Sequence, residues 1–335
     1  MPEIKFIYQD IFEMNPPTLI LPILTLIQKS GRGELGESTE GRLRQLLKDN
    51  FWKLEKWYRY FVNTQSHNDL MEEEAISRSV KYRWRCKDDC ERGNFMGSGL
   101  DDYPRVENPQ QLSKQHVDLM SWIYTFSEGL EEVAKFLGRP KPMKYYRNRK
   151  EEMRVKVLEE CLDQSDLLFK DVAVAGKNKF ADQKVTRTGY ISLFPFITGM
   201  LQEEQFNPLQ RELVKAARKK ALEIMSDPSL LLSEDGIRSL SLDDSLYGTG
   251  DNYWRGAVWM PINYLTLRAI KQQYWEDEQA REVYSLVRER LIETVKGNWE
   301  RTGYLFENYH EGKGNRGYPF YGWTSLIINI ITEQY

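Results

Sequence analysis

The segment ESTEGRLRQLLKDNFWKLEKWYRYFV, residues Glu37–Val62, predicts a long amphipathic helix. Apolar side chains recur along it at intervals of a few residues: Leu43, Leu46, Leu47, Trp52, Leu54, Trp57 and Phe61. This spacing places them on one face of a helix, where they can pack against a neighbouring helix. The segment therefore indicates a fold in which helices pack on helices.

The helical pattern repeats along most of the chain. An apolar stretch that follows Pro16 and Pro17 and ends at Gly31 has the proline start and the glycine stop of a helix. Leu168–Lys184 predicts a short strand pair that turns at Gly176. Further helices are predicted over Ser113–Leu137, Arg149–Leu162, Gly189–Leu201, Pro208–Met225, Trp259–Tyr274, Glu276–Trp299 and Phe320–Thr332. Long polar and aromatic loops separate these helices. The alternation indicates an α/α toroid or an α-solenoid, with any chemistry on loops at one end.

Charge and composition exclude several classes of partner. The 335 residues contain 47 Lys+Arg and 50 Asp+Glu, a net charge of −3, which gives no electrostatic reason to expect nucleic acid or an anionic membrane. The apolar run Thr18–Ile27 is too short to span a bilayer and contains Pro22. Because the start of the sequence also lacks the features of a signal peptide, we expect a soluble chain with no address of its own. The aromatic fraction of 13% is compatible both with sugar-binding sites and with ordinary core packing.

The cysteines and the short motifs give mostly negative evidence. Cys86, Cys90 and Cys161 have no partners at the spacing of a zinc site, so no metal is expected. A local disulfide between Cys86 and Cys90 stays open for an oxidising compartment. The sequence has no phosphate-binding loop, HExxH or Gly-x-Ser-x-Gly motif, which disfavours nucleotide, zincin and α/β-hydrolase chemistry.

The segment SGLDDYPR, Ser98–Arg105, places two adjacent carboxylates inside a long predicted loop. Neighbouring side chains of an extended segment point in opposite directions. One of Asp101 and Asp102 can therefore face a cleft while the other anchors the loop by pairing with Arg105. The structural alternative is an Asp-Asp turn capped by Pro104.

Two later loops also combine charged and aromatic residues. Glu307 lies between a phenylalanine and an asparagine, a setting that can tune a carboxylate as a base, or it is simply a solvated glutamate. In Asp251–Trp259, Arg255 lies between Trp254 and Trp259. These rings can stack on a sugar, or they can form a cation–π cluster that starts a core helix. Two carboxylates in aromatic loops suit glycoside hydrolysis, which needs a proton donor and a base or nucleophile.

The same loops resemble those of glycoside hydrolase family 63, the mannosyl-oligosaccharide glucosidases. The matching segments follow the family's order and run nearly from end to end. They are NPPTLILP (Asn15–Pro22), SGLDDYPR (Ser98–Arg105), HVDL (His116–Leu119), GYISLFPF (Gly189–Phe196), GIRSLS (Gly236–Ser241), YWRGAVWMPINYL (Tyr253–Leu265) and GWTSL (Gly322–Leu326). The resemblance implies an all-α fold, the (α/α)6 toroid of the six-hairpin glycosidases, with a minor β-hairpin in a loop.

The resemblance also implies roles for individual residues. The family places its general acid at the first Asp after Ser-Gly-x, which is Asp101 here, and the more distant trehalases have a similar Ser-Gly-Trp-Asp acid. Glu307 matches the general base of an inverting mechanism. Positions that line the sugar subsites match Tyr103, Arg105, Trp254, Arg255 and Trp323. No metal or organic cofactor is implied.

The implied activity is removal of the terminal glucose from the precursor N-linked oligosaccharide in the endoplasmic reticulum. The substrate partner is then a glucosylated oligosaccharide or a glycoprotein N-glycan, with no nucleic acid and no membrane segment. One alternative is a family member that acts on small α-glucosides or mannosylglycerate. The other is a catalytically silent carbohydrate-binding remnant.

Compared with the family pattern, residues 1–335 correspond to a partial toroid, incomplete at its N-terminal end and without the β-rich domain that precedes it. A Trp-Asp-x-x-Phe-His segment, which helps to form the subsite of the departing glucose, has no counterpart in the sequence. Contacts of that kind position the sugar and offset its distortion toward the transition state. We therefore expect this chain alone to hydrolyse terminal α-glucosides poorly or not at all.

Overall fold

The computed structural model describes residues 14–67, 81–85, 95–107, 111, 113–174 and 182–335. Nine α-helices lie within these residues, and loops that carry short strands connect them. The helices are α1 (Ile20–Gly31), α2 (Glu37–Gln65), α3 (Val117–Phe136), α4 (Pro140–Lys156), α5 (Tyr190–Ile197), α6 (Pro208–Ser226), α7 (Met260–Gln273), α8 (Glu278–Thr302) and α9 (Ile327–Thr332). None of these helices combines the length and the apolar content that crossing a bilayer requires.

The strands are two or three residues long and pair antiparallel beside the helices. Four two-stranded pairs join β1 (Ser66–His67) to β2 (Lys81–Tyr82), β4 (Leu162–Asp163) to β5 (Leu168–Phe169), β8 (Leu232–Ser233) to β9 (Gly236–Ile237), and β10 (Asn308–His310) to β11 (Lys313–Asn315). A three-stranded sheet has the order β3 (Ser113–Gln115), β6 (Val172–Val174), β7 (Asp182–Lys184). Because they are so short, the strands shape the loops while the helices supply the core.

Helix α3 packs against four other helices, α1, α2, α4 and α5. Most of its side chains are buried, because neighbours cover it on several sides. Gly129 lets α1 approach closely, since a Cβ atom there would overlap the side chain of Ile20. The absence of a side chain at this one position therefore sets the distance between the two helices.

The loops that precede α5 and α7 lie side by side. The buried Tyr190 hydroxyl donates to the carbonyl of Ile237 at 2.7 Å. It accepts hydrogen bonds from the Trp259 amide and the Asn263 side chain, both at 3.1 Å. Tyr190 begins α5, and Trp259 immediately precedes α7. The N-terminal ends of the two helices are therefore adjacent, and the loops that precede them lie at the same end of the molecule.

The sequence predicted most helices correctly, with three differences. Helix α3 begins at Val117, because Ser113–Gln115 forms a strand that pairs with β6. Helix α4 begins at Pro140, well before the predicted Arg149, and it continues into a π-helical turn over Val157–Cys161. The last predicted helix divides into a 3₁₀ turn, Trp323–Leu326, and the short α9.

The predicted strand pair near Gly176 is confirmed as β6 and β7, and Gly176 itself lies outside the described residues. Cys86 and Cys90 also lie outside them. Cys161 is a buried free thiol.

Candidate active site

Asp102 connects the loop of residues 98–105 to the loop that contains Tyr253, Trp254 and Arg255. Its carboxylate accepts hydrogen bonds from the backbone amides of Trp254 at 2.6 Å and Tyr253 at 3.3 Å. Arg255 Nε lies 3.6 Å from the same carboxylate and donates to the Asp102 carbonyl at 3.0 Å. Asp102 is therefore the carboxylate that anchors the loop. Its cationic partner is Arg255, which corrects the predicted pairing with Arg105.

Asp101 has a different environment. Its carboxyl is partly buried, and no ion pair forms on it within the described part of the chain. Burial, the nearby Asp102 charge and the Glu307 charge together raise the pKa of Asp101 to about 6. A carboxyl with this pKa keeps its proton at pH values where ordinary carboxyl groups have ionised, so it can act as a proton donor. The influence of Glu307 also indicates that the two carboxyls belong to one site.

The backbone around Glu307 is held by the segment that follows it. The Glu307 amide donates to the Gly317 carbonyl at 3.2 Å, and the Glu307 carbonyl accepts from Trp323 Nε1 at 2.8 Å. The Thr324 hydroxyl donates to the Phe306 carbonyl at 2.6 Å. Residues 306–307 are therefore fixed against the N-terminal end of the last helix.

Tyr253 connects the second loop to this carboxylate. Its hydroxyl donates a hydrogen bond to Glu307 Oε1. A Cβ atom at Gly317 would contact Oε2 of Glu307 at 3.5 Å, so glycine leaves that side of the carboxylate open. The Arg316 guanidinium lies over the Tyr253 ring, 5.1 Å from its centre. Tyr253 thus orients Glu307 through Oε1 and leaves Oε2 accessible.

The three tryptophans of these loops form a group. Trp254 and Trp259 stack face to face, with ring centres 3.8 Å apart and planes 5° apart. Trp323 is tilted against Trp259 at 5.8 Å and is 37% exposed, whereas Trp254 is 6% exposed. Trp254 Nε1 is buried and has no hydrogen-bond acceptor among the residues that the structure describes. The rings therefore stack on each other, and Trp323 has the most exposed ring of the three.

Tyr103 and Arg105 lie below this surface. Tyr103 is 2% exposed and Arg105 is fully buried. The Arg105 guanidinium pairs with Asp118 at 2.6 Å and with Asp171 at 3.0 Å. Both side chains lie beneath this surface, and their place in a sugar subsite stays a prediction. Arg105 attaches the acid loop to α3 and to the segment before β6, whereas the buried Tyr103 hydroxyl has no hydrogen-bond partner among the described residues.

Sequence reasoning did not assign roles to Tyr253, Asp118 and Asp171. Tyr253 and Asp118 stood inside quoted motifs, so their neighbours in the motifs were a usable signal. Asp171 has no such signal, because it lies 66 residues from the arginine that it binds. The sequence predicted that any chemistry would lie on loops at one end, and the structure brings the loops of Asp101, Trp254 and Glu307 together.

Comparison with known proteins identifies the family. The C-terminal domain of glycosyl hydrolase family 63 matches residues 1–333. A probable mannosyl-oligosaccharide glucosidase of Schizosaccharomyces pombe is 32% identical over 361 aligned residues, which cover 98% of this chain and 42% of that protein. The mannosyl-oligosaccharide glucosidase of Saccharomyces cerevisiae is 28% identical, with 88% of this chain and 36% of that protein covered. This chain thus spans about two fifths of the length of these curated relatives.

A solved structure extends the likeness to the fold. The family 63 mannosylglycerate hydrolase of Thermus thermophilus, in complex with glucose, superposes with a TM-score of 0.61 at 14% identity. The match covers 99% of this chain and 80% of that one. The chain belongs to glycoside hydrolase family 63, and its helices have the toroidal α/α arrangement of that family.

Proposed function

We propose that this site is the acid–base centre of an inverting α-glucosidase, and that its substrate is the terminal glucose of a precursor N-linked oligosaccharide. The observation that carries the proposal is the contrast between two carboxyls in one site. Asp101 holds its proton unusually strongly, while Glu307 accepts a hydrogen bond from Tyr253. The names of the yeast relatives support the choice of substrate.

In this mechanism Asp101 donates its proton to the glycosidic oxygen as the bond to the anomeric carbon breaks. A water molecule attacks that carbon from the opposite face, and Glu307 takes a proton from the water. Inverting pairs are separated by roughly 6.5–9.5 Å, which leaves room for the water. Because Tyr253 occupies Oε1 of Glu307, we assign the proton transfer to Oε2, beside Gly317.

The sugar contacts are assigned from exposure and unpaired polar groups. Trp323 offers an open ring for stacking on a sugar face. Trp254 Nε1 is an unpaired donor within the described part of the chain, and a sugar hydroxyl is a suitable acceptor for it. Arg255 already binds Asp102 and Thr249, so its contribution to the subsite is to hold the loop.

The proposed partner is a glucosylated glycan, and the proposed compartment is the endoplasmic reticulum, where such precursors are processed. The alternatives are hydrolysis of a smaller α-glucoside or mannosylglycerate, and glycan binding without hydrolysis. Neither alternative is favoured by a specific contact in the described residues.

Because slow hydrolysis is expected of this chain alone, the test uses the protein in large excess of a glucosylated oligosaccharide, so that a single turnover is sufficient, and follows glucose release by proton NMR. Inversion predicts that β-glucose appears first and then equilibrates. Asp101→Asn and Glu307→Gln should each reduce the rate by at least about a hundredfold. Asp243→Asn and Glu300→Gln, at exposed positions outside the site, are the matched controls.

Four other outcomes would each contradict one part of the proposal. Initial release of α-glucose would exclude inversion. Full activity in the Asp101 or Glu307 variant would exclude the assigned roles. Tight glycan binding without any glucose release would favour the binding function over the enzyme. Release of sugar only from small α-glucosides or mannosylglycerate would exclude the assigned substrate while retaining the chemistry.

A further inference from the structure

A polar cavity separate from the carboxylate site lies between four helices. Its volume is about 290 Å³, and residues of α1, α3, α5 and α7 line it. Asp118, near the start of α3, binds Arg105 beneath the acid loop, whereas Glu128 on the same helix faces the cavity. At 1.5 Å per residue, these two positions are about 15 Å apart along the helix axis. None of the residues placed in the carboxylate site lines the cavity, so the two are separate.

The cavity contains a buried cation without a bound partner. Arg268 on α7 is 7% exposed, and within the described residues its guanidinium forms no hydrogen bond, ion pair or ring contact. A guanidinium carries five N–H donors, and leaving them unsatisfied away from bulk water is costly. Burial correspondingly lowers the pKa of Arg268. A buried guanidinium that faces a cavity and has no protein partner among the described residues indicates that the cavity holds a polar occupant.

A carboxyl on α3 complements this cation without binding it. Glu128 also forms no hydrogen bond or ion pair within the described ranges, and burial raises its pKa. Its charge acts on Arg268 at a distance longer than an ion pair. Lys150, the nearest cation on α4, is already bound to Glu131 at 2.7 Å. A donor group and an acceptor group therefore face one space, with a gap between them.

The remaining lining combines amides, an aromatic ring and aliphatic side chains from α1, α5 and α7. Gln272 and Gln273 supply both donors and acceptors, and Gln273 is held by Gln202 at 2.6 Å. Trp122 adds a largely buried indole ring. Charged donors and acceptors, amides and an aromatic face are the groups that bind a ring carrying several hydroxyls. The volume is at the lower end of the range for ligand pockets, which suits a single sugar ring.

We propose that this cavity is a binding site for a neutral polyhydroxylated ring, with Arg268 and Glu128 bridged by neighbouring hydroxyls of the ligand. A simple anion on Arg268 would face Glu128 and Glu132, and a simple cation on the glutamates would face Arg268. A neutral ligand that both donates and accepts avoids both conflicts. The inference rests on the cavity alone and holds whether or not Asp101 and Glu307 catalyse glucoside hydrolysis.

The experiment uses the full chain with its tryptophans replaced by 5-fluorotryptophan, observed by fluorine NMR. Trp122 reports on the cavity, and Trp254 and Trp323 report on the carboxylate site. Titration with D-glucose and, separately, with myo-inositol should shift the Trp122 signal in a saturable way. Arg268→Gln should weaken the Trp122 response by about tenfold or more, since hydrogen bonds to a charged group are lost. It should leave the response of the other two signals unchanged.

Two further variants distinguish a loss of binding in the cavity from an effect on the carboxylate site and from a folding defect. Glu128→Gln keeps the shape of the side chain and should also weaken the Trp122 response, which covers the case in which Arg268→Gln does not fold. Lys271→Gln removes a cation from the same helix outside the cavity and should change nothing. Glucose shifts of Trp254 and Trp323 with none of Trp122 would overturn the proposal. So would a Trp122 response to glycine betaine or to inorganic phosphate without a response to either polyol.

Discussion

The two aspartates of the acid loop are neighbours in sequence with opposite functions. Asp102 is satisfied by two backbone amides and Arg255, whereas Asp101 has a raised pKa and no cationic partner among the described residues. The difference arises because the chain turns between them. One carboxyl then faces the loop of Tyr253 and Trp254, and the other faces Glu307.

Asp102→Asn should change the pH dependence as well as the loop. The Asp102 charge is the second cause of the raised pKa of Asp101, after burial, so removing it should lower that pKa below about 6. The alkaline limb of the kcat/KM profile, which reports loss of the acid's proton, should therefore move to lower pH. Asp243→Asn is the matched control. An unmoved alkaline limb in a folded Asp102→Asn protein would mean that Asp101 is not the titrating acid.

Tyr253→Phe should lower activity by misplacing the base. The lost hydroxyl donates to Glu307 Oε1 and holds that carboxylate in one orientation. Without it, we expect kcat to fall roughly tenfold, because the base is no longer aimed at the attacking water. Tyr145→Phe, an exposed tyrosine on α4, should behave as the unsubstituted protein. An unchanged kcat in a folded Tyr253→Phe protein would mean that the hydroxyl does not position the base.

Among the helices, the close contact between α1 and α3 requires a glycine at position 129. Gly129→Val should force Ile20 and its helix outward, because the added atoms have no space. We expect a loss of about 1–3 kcal/mol in the free energy of unfolding, measured by urea denaturation. The matched control is Gly41→Ala in α2, where nothing lies within 4 Å. That change should stabilise the protein by about 0.5–1 kcal/mol, and equal effects of the two changes would show that the contact is unimportant.

The sequence predicts those elements whose physical signal is local. Helices α2 and α7 have apolar faces at helical spacing, and their positions were predicted within a few residues. The first half of α4 was missed because its sequence is strongly charged and lacks an apolar stripe. Its helix is held by a few buried side chains such as Tyr146 and Met153, which pack in the common core around α3.

In the site, too, the sequence predicts the residues that have a local signal and misses the contacts between distant segments. Asp101 and Glu307 could be chosen because their segments have a recognisable composition and order. The contact between Asp102 and Arg255 joins residues that are 153 positions apart in the sequence, and no pattern within either loop specifies that contact. The burial of Arg105 was missed for the same reason, since both of its carboxylate partners come from other segments.

For the molecule as a whole, the Arg105 cluster connects the site to the core. Arg105, Asp118 and Asp171 join the acid loop, α3 and the segment before β6 in one buried network. Removing one member would leave a buried charge without its partner, which commonly costs several kcal/mol. The network therefore fixes the loop that carries Asp101 to the core.

The site itself should reduce the stability of the whole molecule at neutral pH. The pKa of Asp101 is raised to about 6 in the folded protein, from an ordinary value near 3.8. At Asp101 the folded state therefore binds a proton more tightly than the unfolded chain, so the contribution of this group to stability is greatest in acid and falls as pH rises from about 4 to 6. The shift corresponds to at most about 3 kcal/mol, and partial solvent exposure of the carboxyl makes the real loss smaller.

Asp101→Asn removes the titrating group and should therefore abolish this part of the pH dependence. We expect the Tm of the variant to exceed that of the unsubstituted protein at pH 7 and to approach it at pH 4. Asp243→Asn should leave the whole pH curve in place. A variant that is less stable than the unsubstituted protein at pH 7 would mean that Asp101 supports the fold. In that case the carboxyl cannot be one that the fold holds protonated at a cost in stability, and its assignment as the proton donor would lose its physical basis.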